Sequence, residues 1–331
     1  MFRKHFFAIF YSILLTAFTV YMFLDTFVIT RVYAAVPSAG ASSAVEAEAK
    51  AADTEEDSES QAKNRNGNES TTTGDEDEVS SQSSTERSAV STETAYQDEN
   101  ISVTITEYRE YDTSIYVADI LLSSPDYLKT ALAQNAYGKN VTEKTSEIAL
   151  ANDAVLAING DYYGAQETGY VLRNGVLYRD TAQKGQEDLV IYEDGTFEII
   201  VEDQVAAQEL LDKGAVQILS FGPALVTDSE ISVTTDEEVG KAKSSNPRTA
   251  IGVIDDLHYV FVVSDGRTDE SEGLSLFQLA QFMSSLGVKT AYNLDGGGSS
   301  SMVFNGTVVN NPTTTGGRIK ERSVSDIVYI G

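Results

Sequence analysis

AYNLDGGGSSSMVFNG, residues Ala291–Gly306, runs from an apolar strand into Asp295, three glycines and three serines, then back into apolar sequence at Met302. Gly296, Gly297 and Gly298 can adopt backbone angles closed to other residues and let a ligand reach the main chain. Consecutive amides in such a turn can form a nest for an oxyanion. Asp295, beside it, has the chemistry of an acid, a base, a sugar-hydroxyl acceptor or a metal ligand. A plain flexible loop is the alternative, but the flanking apolar runs bound this turn too tightly for a linker.

Working outward, the neighbouring sequence reads as sheet and helix. SLFQLAQFMSSLG at Ser275–Gly287 predicts an amphipathic helix with Leu276, Leu279, Ala280 and Met283 on one face and Ser275 as its cap. TAIGVIDDLHYVFVVSDG predicts a hairpin turning near Asp255–Asp256. GYVLRNGVLYRD and LVIYEDGTFEII carry two-residue hairpin signals at Asn174–Gly175 and Asp194–Gly195. SEIALAND at Ser146–Asp153 reads as a helix feeding a strand, and DQVAAQELLDKG at Asp203–Gly214 as a helix with a glycine stop. The Ala and Leu content of DYLKTALAQNAYG, from Asp126, favours a helical turn. ISVTITEY, SIYVADILL and the closing VSDIVYIG read as strands. With about a dozen strands against three or four helices, a single α+β domain is expected over residues 100–331, and helices that directly precede strands keep a mixed α/β topology open.

Composition narrows the function. The 331 residues carry 51 Asp and Glu against 23 Lys and Arg, a net charge of -28. No basic footprint for nucleic acid is visible, although a few local arginines can still hold a phosphate. Cysteine is absent, which removes disulfides and thiolate sites, and two histidines do not make a zinc hydrolase. An all-oxygen calcium or magnesium site stays open; no other cofactor is expected.

The N-terminus is of another kind. Phe6–Leu24 is a nineteen-residue apolar run behind Arg3, Lys4 and His5. Its length suits a membrane-crossing helix, and the basic start predicts an exported remainder. A retained single-pass anchor over residues 1–34 is favoured over a signal peptide cleaved near Tyr33–Ala41. Residues 35–99, rich in Ser, Thr, Ala, Glu and Asp, read as a disordered acidic linker holding the domain off the membrane.

Polar, glycine-bearing clusters recur at strand ends: AINGDYYG, with Asn159, Gly160, Asp161, Tyr162 and Tyr163; NPRTAIG, with Arg248 and Thr249; VSDGR, with Asp265 and Arg267; the Asp295–Ser299 turn; and GGRIKER, ending at Arg322. Each alone is also an ordinary turn or surface pair. Taken together they suit a sugar phosphodiester. Carboxylates can serve an anomeric carbon, arginines and turn amides a phosphate, and tyrosines a sugar ring. GGGSS is not a G-x-S-x-G elbow, and no GK[ST] follows the glycines to make a P-loop.

These motifs, in this order and spacing, resemble the phosphodiester glycosidase family, whose best-known activity removes an N-acetylglucosamine cap from a mannose 6-phosphate diester. The resemblance covers roughly Asn100–Gly331, with ERSV at Glu321–Val324 similar to the family's closing motif. It implies Asp295, Asp161 and then Asp265 as catalytic candidates. It implies Asn159, Gly160, Tyr162, Arg248, Thr249, Arg267, Gly296, Gly297, Gly298, Ser299 and Arg322 as substrate-binding candidates. The disulfide-bearing regions of the animal enzyme have no counterpart here, so a cell-surface envelope glycan is expected as substrate. The alternatives are a non-catalytic glycan-binding or assembly protein, a glycosyl transferase, and a phosphodiesterase cleaving at phosphorus.

Overall fold

The computed structural model describes residues 2–35, 89–235, 245–314 and 317–331. Residues 36–88 of the stretch read as a linker, part of the polar loop before Pro247, and Gly316 lie outside the described residues. Val90–Ser91 and Ala95–Gln97, also read as linker, are strands paired into the domain. The described residues belong to one unit, Met1–Val36 with Ala89–Gly331.

The fold is a mixed α and β domain in which every pairing between the described strands is antiparallel. A nine-stranded sheet carries Thr290–Leu294, Arg248–Asp255, His258–Ser264 and Thr113–Leu122 as adjacent interior strands, and its far edge reaches back to Val90–Ser91. A five-stranded sheet holds Met302–Phe304, Leu156–Asn159, Asp326–Ile330 and Leu128–Leu132 in that order. A second five-stranded sheet contains the two hairpins at Asn174–Gly175 and Asp194–Gly195.

Strand periodicity explains the layering, because successive side chains point to opposite faces. On Thr113–Leu122, Tyr116, Ala118 and Ile120 enter a core shared by all three large sheets, with Phe261, Ile158, Val328 and Leu189. Ile115 and Val117 point the other way, onto the helix Leu276–Ser285. That helix forms as expected: Ser275 and Gln278 make a reciprocal capping box, and Leu276, Leu279, Ala280 and Met283 are buried. Burying Leu279 or Met283 contributes roughly 1.5–3 kcal/mol each.

The stretch after Asp126 departs from its sequence reading. Leu128–Leu132 and Ala136–Lys139 are strands, and only short 3-10 turns flank and separate them. The C-terminal strand Asp326–Ile330 pairs residue for residue with Leu128–Leu132, and tertiary pairing outweighs a weak helical preference. The helix read over Asp203–Gly214 is confined to Ala207–Asp212, behind a 3-10 turn at Glu202–Gln204.

The helix Phe2–Phe27 includes Ile9–Phe27, a segment long and apolar enough to cross a membrane. Three residues later, Arg31–Ala35 pairs with Ala136–Lys139. Gly138 is required there, since a Cβ would stand 2.0 Å from the Arg31 carbonyl oxygen. The chain is thus stitched to the domain before the acidic stretch begins.

Candidate active site

Two strands from different sheets deliver the central residues. Thr290–Leu294 ends at Asp295, and Leu156–Asn159 runs into Gly160, Asp161 and Tyr162. Asn159 laces their ends together. Its Nδ2 donates to the Asp295 carbonyl at 2.6 Å, and its Oδ1 accepts from Thr249 Oγ1 at 2.8 Å and from the Ser301 amide at 3.2 Å. The Asp295 amide donates to the Gly160 carbonyl at 3.3 Å. Asn159 and Thr249 are fully buried, so they hold the strands in register from behind the site.

The Asp295 carboxylate accepts from Ser299 Oγ and from Arg322 Nη2, both at 2.6 Å. Burial raises its pKa, the Arg322 charge and these hydrogen bonds oppose the rise, and the negative Asp161 adds to it. Asp161 accepts from Arg173 Nη2 at 2.7 Å and from the Tyr163 and Ser220 amides at 2.9 Å.

Arg173 is 2% exposed and also donates from Nε to Asp326 Oδ2 at 2.8 Å, so one guanidinium joins two buried carboxylates. Burial and the nearby Asp161 charge push the Asp326 carboxyl up to about 7. Gly160 has no room for a side chain: a Cβ would lie 2.3 Å from Asp326 Oδ1. Arg173 and Asp326 escaped the sequence reading. The signal available was an arginine inside the apolar run VLR and an aspartate opening the apolar run DIVYI.

Asp161, Tyr162, Asp295, Arg322, Ser323 and Ser325 line one cleft of about 240 Å³, with Thr26 and Phe27 on its rim. Tyr162 is 43% exposed, suitably presented to stack on a sugar ring. A larger cavity of about 460 Å³ lies around Lys129, Asn174 and Glu193 but contains none of these converging groups.

The glycine turn is shaped by arginines. Gly297, at φ +62°, lies under Arg267, where a Cβ would be 2.8 Å from Nη2. Gly298 lies beside the Arg322 stem, and the Gly297 amide donates to the Pro247 carbonyl. Arg267 is exposed and donates from Nε and Nη2 to Asn246 Oδ1.

Of the residues singled out in the sequence, only Asp161, Tyr162, Asp295 and Arg322 line the cleft; the glycine turn, Arg267, Arg248 and Asp265 stand outside it. Arg248 is 3% exposed, packs beside Gly296 and donates from Nε to the Leu274 carbonyl. Asp265 is buried in its own network with Asn310 and Asn311, and burial raises its pKa. Among the described residues, no three His, Asp or Glu side chains converge as a metal site would require.

The cleft thus brings together two carboxylates, one of them held by an exposed arginine. The family model described as phosphodiester glycosidase matches residues 152–331, and the chain belongs to that family. A Bacillus subtilis strain 168 prophage-derived protein, YomE, is 31% identical over 180 residues, which is 53% of this chain and 28% of that protein. The human N-acetylglucosamine-1-phosphodiester alpha-N-acetylglucosaminidase is 31% identical over 185 residues, 50% of this chain and 35% of that protein. The chain therefore spans about a third of the length of these curated relatives. Among solved structures, the zebrafish enzyme's catalytic domain, auto-inhibited by pro-peptide, is similar with a TM-score of 0.56 and 23% identity, covering 70% of this chain and 82% of that one. That likeness concerns the fold.

Proposed function

We propose that this protein hydrolyses the bond between a sugar anomeric carbon and a phosphodiester oxygen, on an N-acetylglucosamine-like unit of an envelope glycan. The helix Phe2–Phe27 acts as its membrane anchor, with the domain exported. The observation that carries the reading is the meeting of Asp295, Asp161 and Arg322 in one cleft. The leaving phosphate has a second pKa near 6 and departs with its own charge, so a cation serves it better than a strong acid. Arg322 and, beyond the glycine turn, Arg267 supply that cation. Asp295 is left to activate the water, and its raised pKa makes it the stronger base when ionised. Asp161, immobilised by Arg173 and two amides, stabilises positive charge developing on the sugar.

The test is incubation of the full chain with N-acetylglucosamine-1-phosphodiesters in oxygen-18 water. Free sugar carrying the label is expected. Label on the phosphate would mean cleavage at phosphorus and overturn the reading, as would a folded protein that releases no sugar from any of several sugar 1-phosphodiesters. Products formed with added acceptor alcohols would expose a transferase.

A further inference from the structure

We infer that the cleft opens onto the lipid bilayer, and that its substrate is a sugar 1-phosphodiester whose second ester arm is a lipid. This rests on the anchor and the reaction proposed above, and it names where the substrate resides. The first observation is the short, bonded link between helix and cleft. Thr26 and Phe27, the last residues of the apolar helix, are themselves part of the cleft rim. Asn140 Nδ2 donates to the Thr26 carbonyl at 3.2 Å and to the Ile29 carbonyl at 3.1 Å, and Thr30 Oγ1 donates to the Asn140 carbonyl at 3.3 Å. The strand Arg31–Ala35 is then fixed on Ala136–Lys139. Only Val28, Ile29 and Thr30 separate helix from strand, a reach of at most about 10 Å when extended. The protein covers none of the apolar segment Ile9–Phe27, which leaves its side chains for hydrocarbon. Asp295 and Arg322 line the same cleft as Phe27, so a bilayer that ends at Phe27 lies against that cleft.

The second observation is charge. In a chain with a net charge of -28, one groove that shares Arg322 and Ser323 with the cleft is lined by Lys144, Arg318, Lys320 and Arg322 against a single carboxylate, Glu321, with Lys144 paired to Glu147. This excess of cations next to the cleft suits phosphate held at an anionic membrane surface. In the reaction, the water oxygen bonds to the anomeric carbon. The carbon–oxygen bond to phosphate breaks, its electron pair stays on the phosphate oxygen, and the water proton passes to Asp295. The products are the free sugar and a lipid phosphate monoester that remains in the membrane.

The experiment reconstitutes the full chain in vesicles and compares an N-acetylglucosamine-1-phospho-octadecyl ester, present in the same vesicles, with the water-soluble ethyl ester. At least a ten-fold preference in kcat/KM for the lipid ester is expected, the order that shared confinement gives. Inserting about twelve Gly and Ser residues between Val28 and Ile29 keeps the domain on the vesicle but lets the cleft leave the bilayer face, so the preference should fall several-fold while ethyl-ester turnover persists. Equal use of both esters by the parent would overturn the inference. So would an insertion that accelerates both equally, since the helix end would then be a cover on the cleft. A second measurement does not depend on turnover. The chain has no cysteine, so a fluorophore at Ser323→Cys is uniquely placed. Headgroup spin-labelled lipids should quench it, and the insertion should relieve the quenching. An unquenched label sinks the bilayer-facing site, whereas a quenched label together with an unlabelled parent that cleaves neither ester leaves the site at the membrane and sinks the proposed reaction instead.

Discussion

Arg322 reaches the Asp295 carboxylate at 2.6 Å from a position 27 residues further along the chain, and the two face one cleft. Burial makes Asp295 harder to ionise and Arg322 makes it easier. Replacing Arg322 with methionine removes the second influence. The acid limb of the pH–rate profile should move to higher pH, because more alkaline solution is then needed to ionise Asp295. KM for a phosphodiester should rise in the same variant. A profile whose acid limb stays in place would show that the pair does not control the reacting group.

Asp295→Asn keeps the size of the side chain and loses the base. The expected loss in kcat is on the order of 10²–10⁴. Thermal unfolding of the variant should match the parent to within a few degrees, so the loss can be assigned to chemistry.

Arg173 answers two buried carboxylates at once. Arg173→Met leaves Asp161 and Asp326 facing each other without a cation, and roughly 3–5 kcal/mol of stability should be lost. Urea unfolding measures this. Adding Asp161→Asn and Asp326→Asn to Arg173→Met should recover part of the loss, the non-additivity of a linked network.

Asp326 also predicts a pH dependence of stability. Its carboxyl is pushed up to about 7 in the folded protein, by burial and by Asp161, against about 4 in an unfolded chain. Between those values the folded state holds the proton more often than the unfolded state. Stability from this group is therefore greatest at the acid end and falls as pH rises from about 4 to about 7. Urea midpoints across that range should show this slope in the parent and a flatter one in Asp326→Asn.

Gly160→Ala probes close packing instead of charge. The added methyl would meet Asp326 Oδ1 at 2.3 Å, so a cost of about 1–3 kcal/mol is expected. The strand end that carries Asp161 should shift with it, and kcat should fall alongside the unfolding midpoint.

Much of this was legible from local rules. Asn174–Gly175 turns the hairpin with both residues at positive φ, and Ser275 caps the helix it was expected to cap. Asp161, Asp295 and Arg322 line one cleft, whereas Arg248 and Asp265, read as parts of the same site, do not line it. What escaped depends on distant partners. Leu128–Leu132 is a strand because Asp326–Ile330 needs a neighbour, and nothing within the segment announces that. Arg173 looks like an ordinary hairpin residue until the fold brings Asp161 and Asp326 to either side. Asn159 and Thr249 belong to the motifs but are fully buried, where strand register rather than ligand contact explains them. Motif membership alone does not separate a side chain that touches substrate from one that aims its neighbour.

The pairing of Arg31–Ala35 with Ala136–Lys139 has one more effect. Arg31–Ala35 and the residues from Ala89 onward belong to the same unit. A chain cut anywhere between Ala35 and Ala89 would be severed covalently yet keep its two fragments clasped through that pairing. Release of the larger piece would then be a dissociation equilibrium, not the immediate result of the cut.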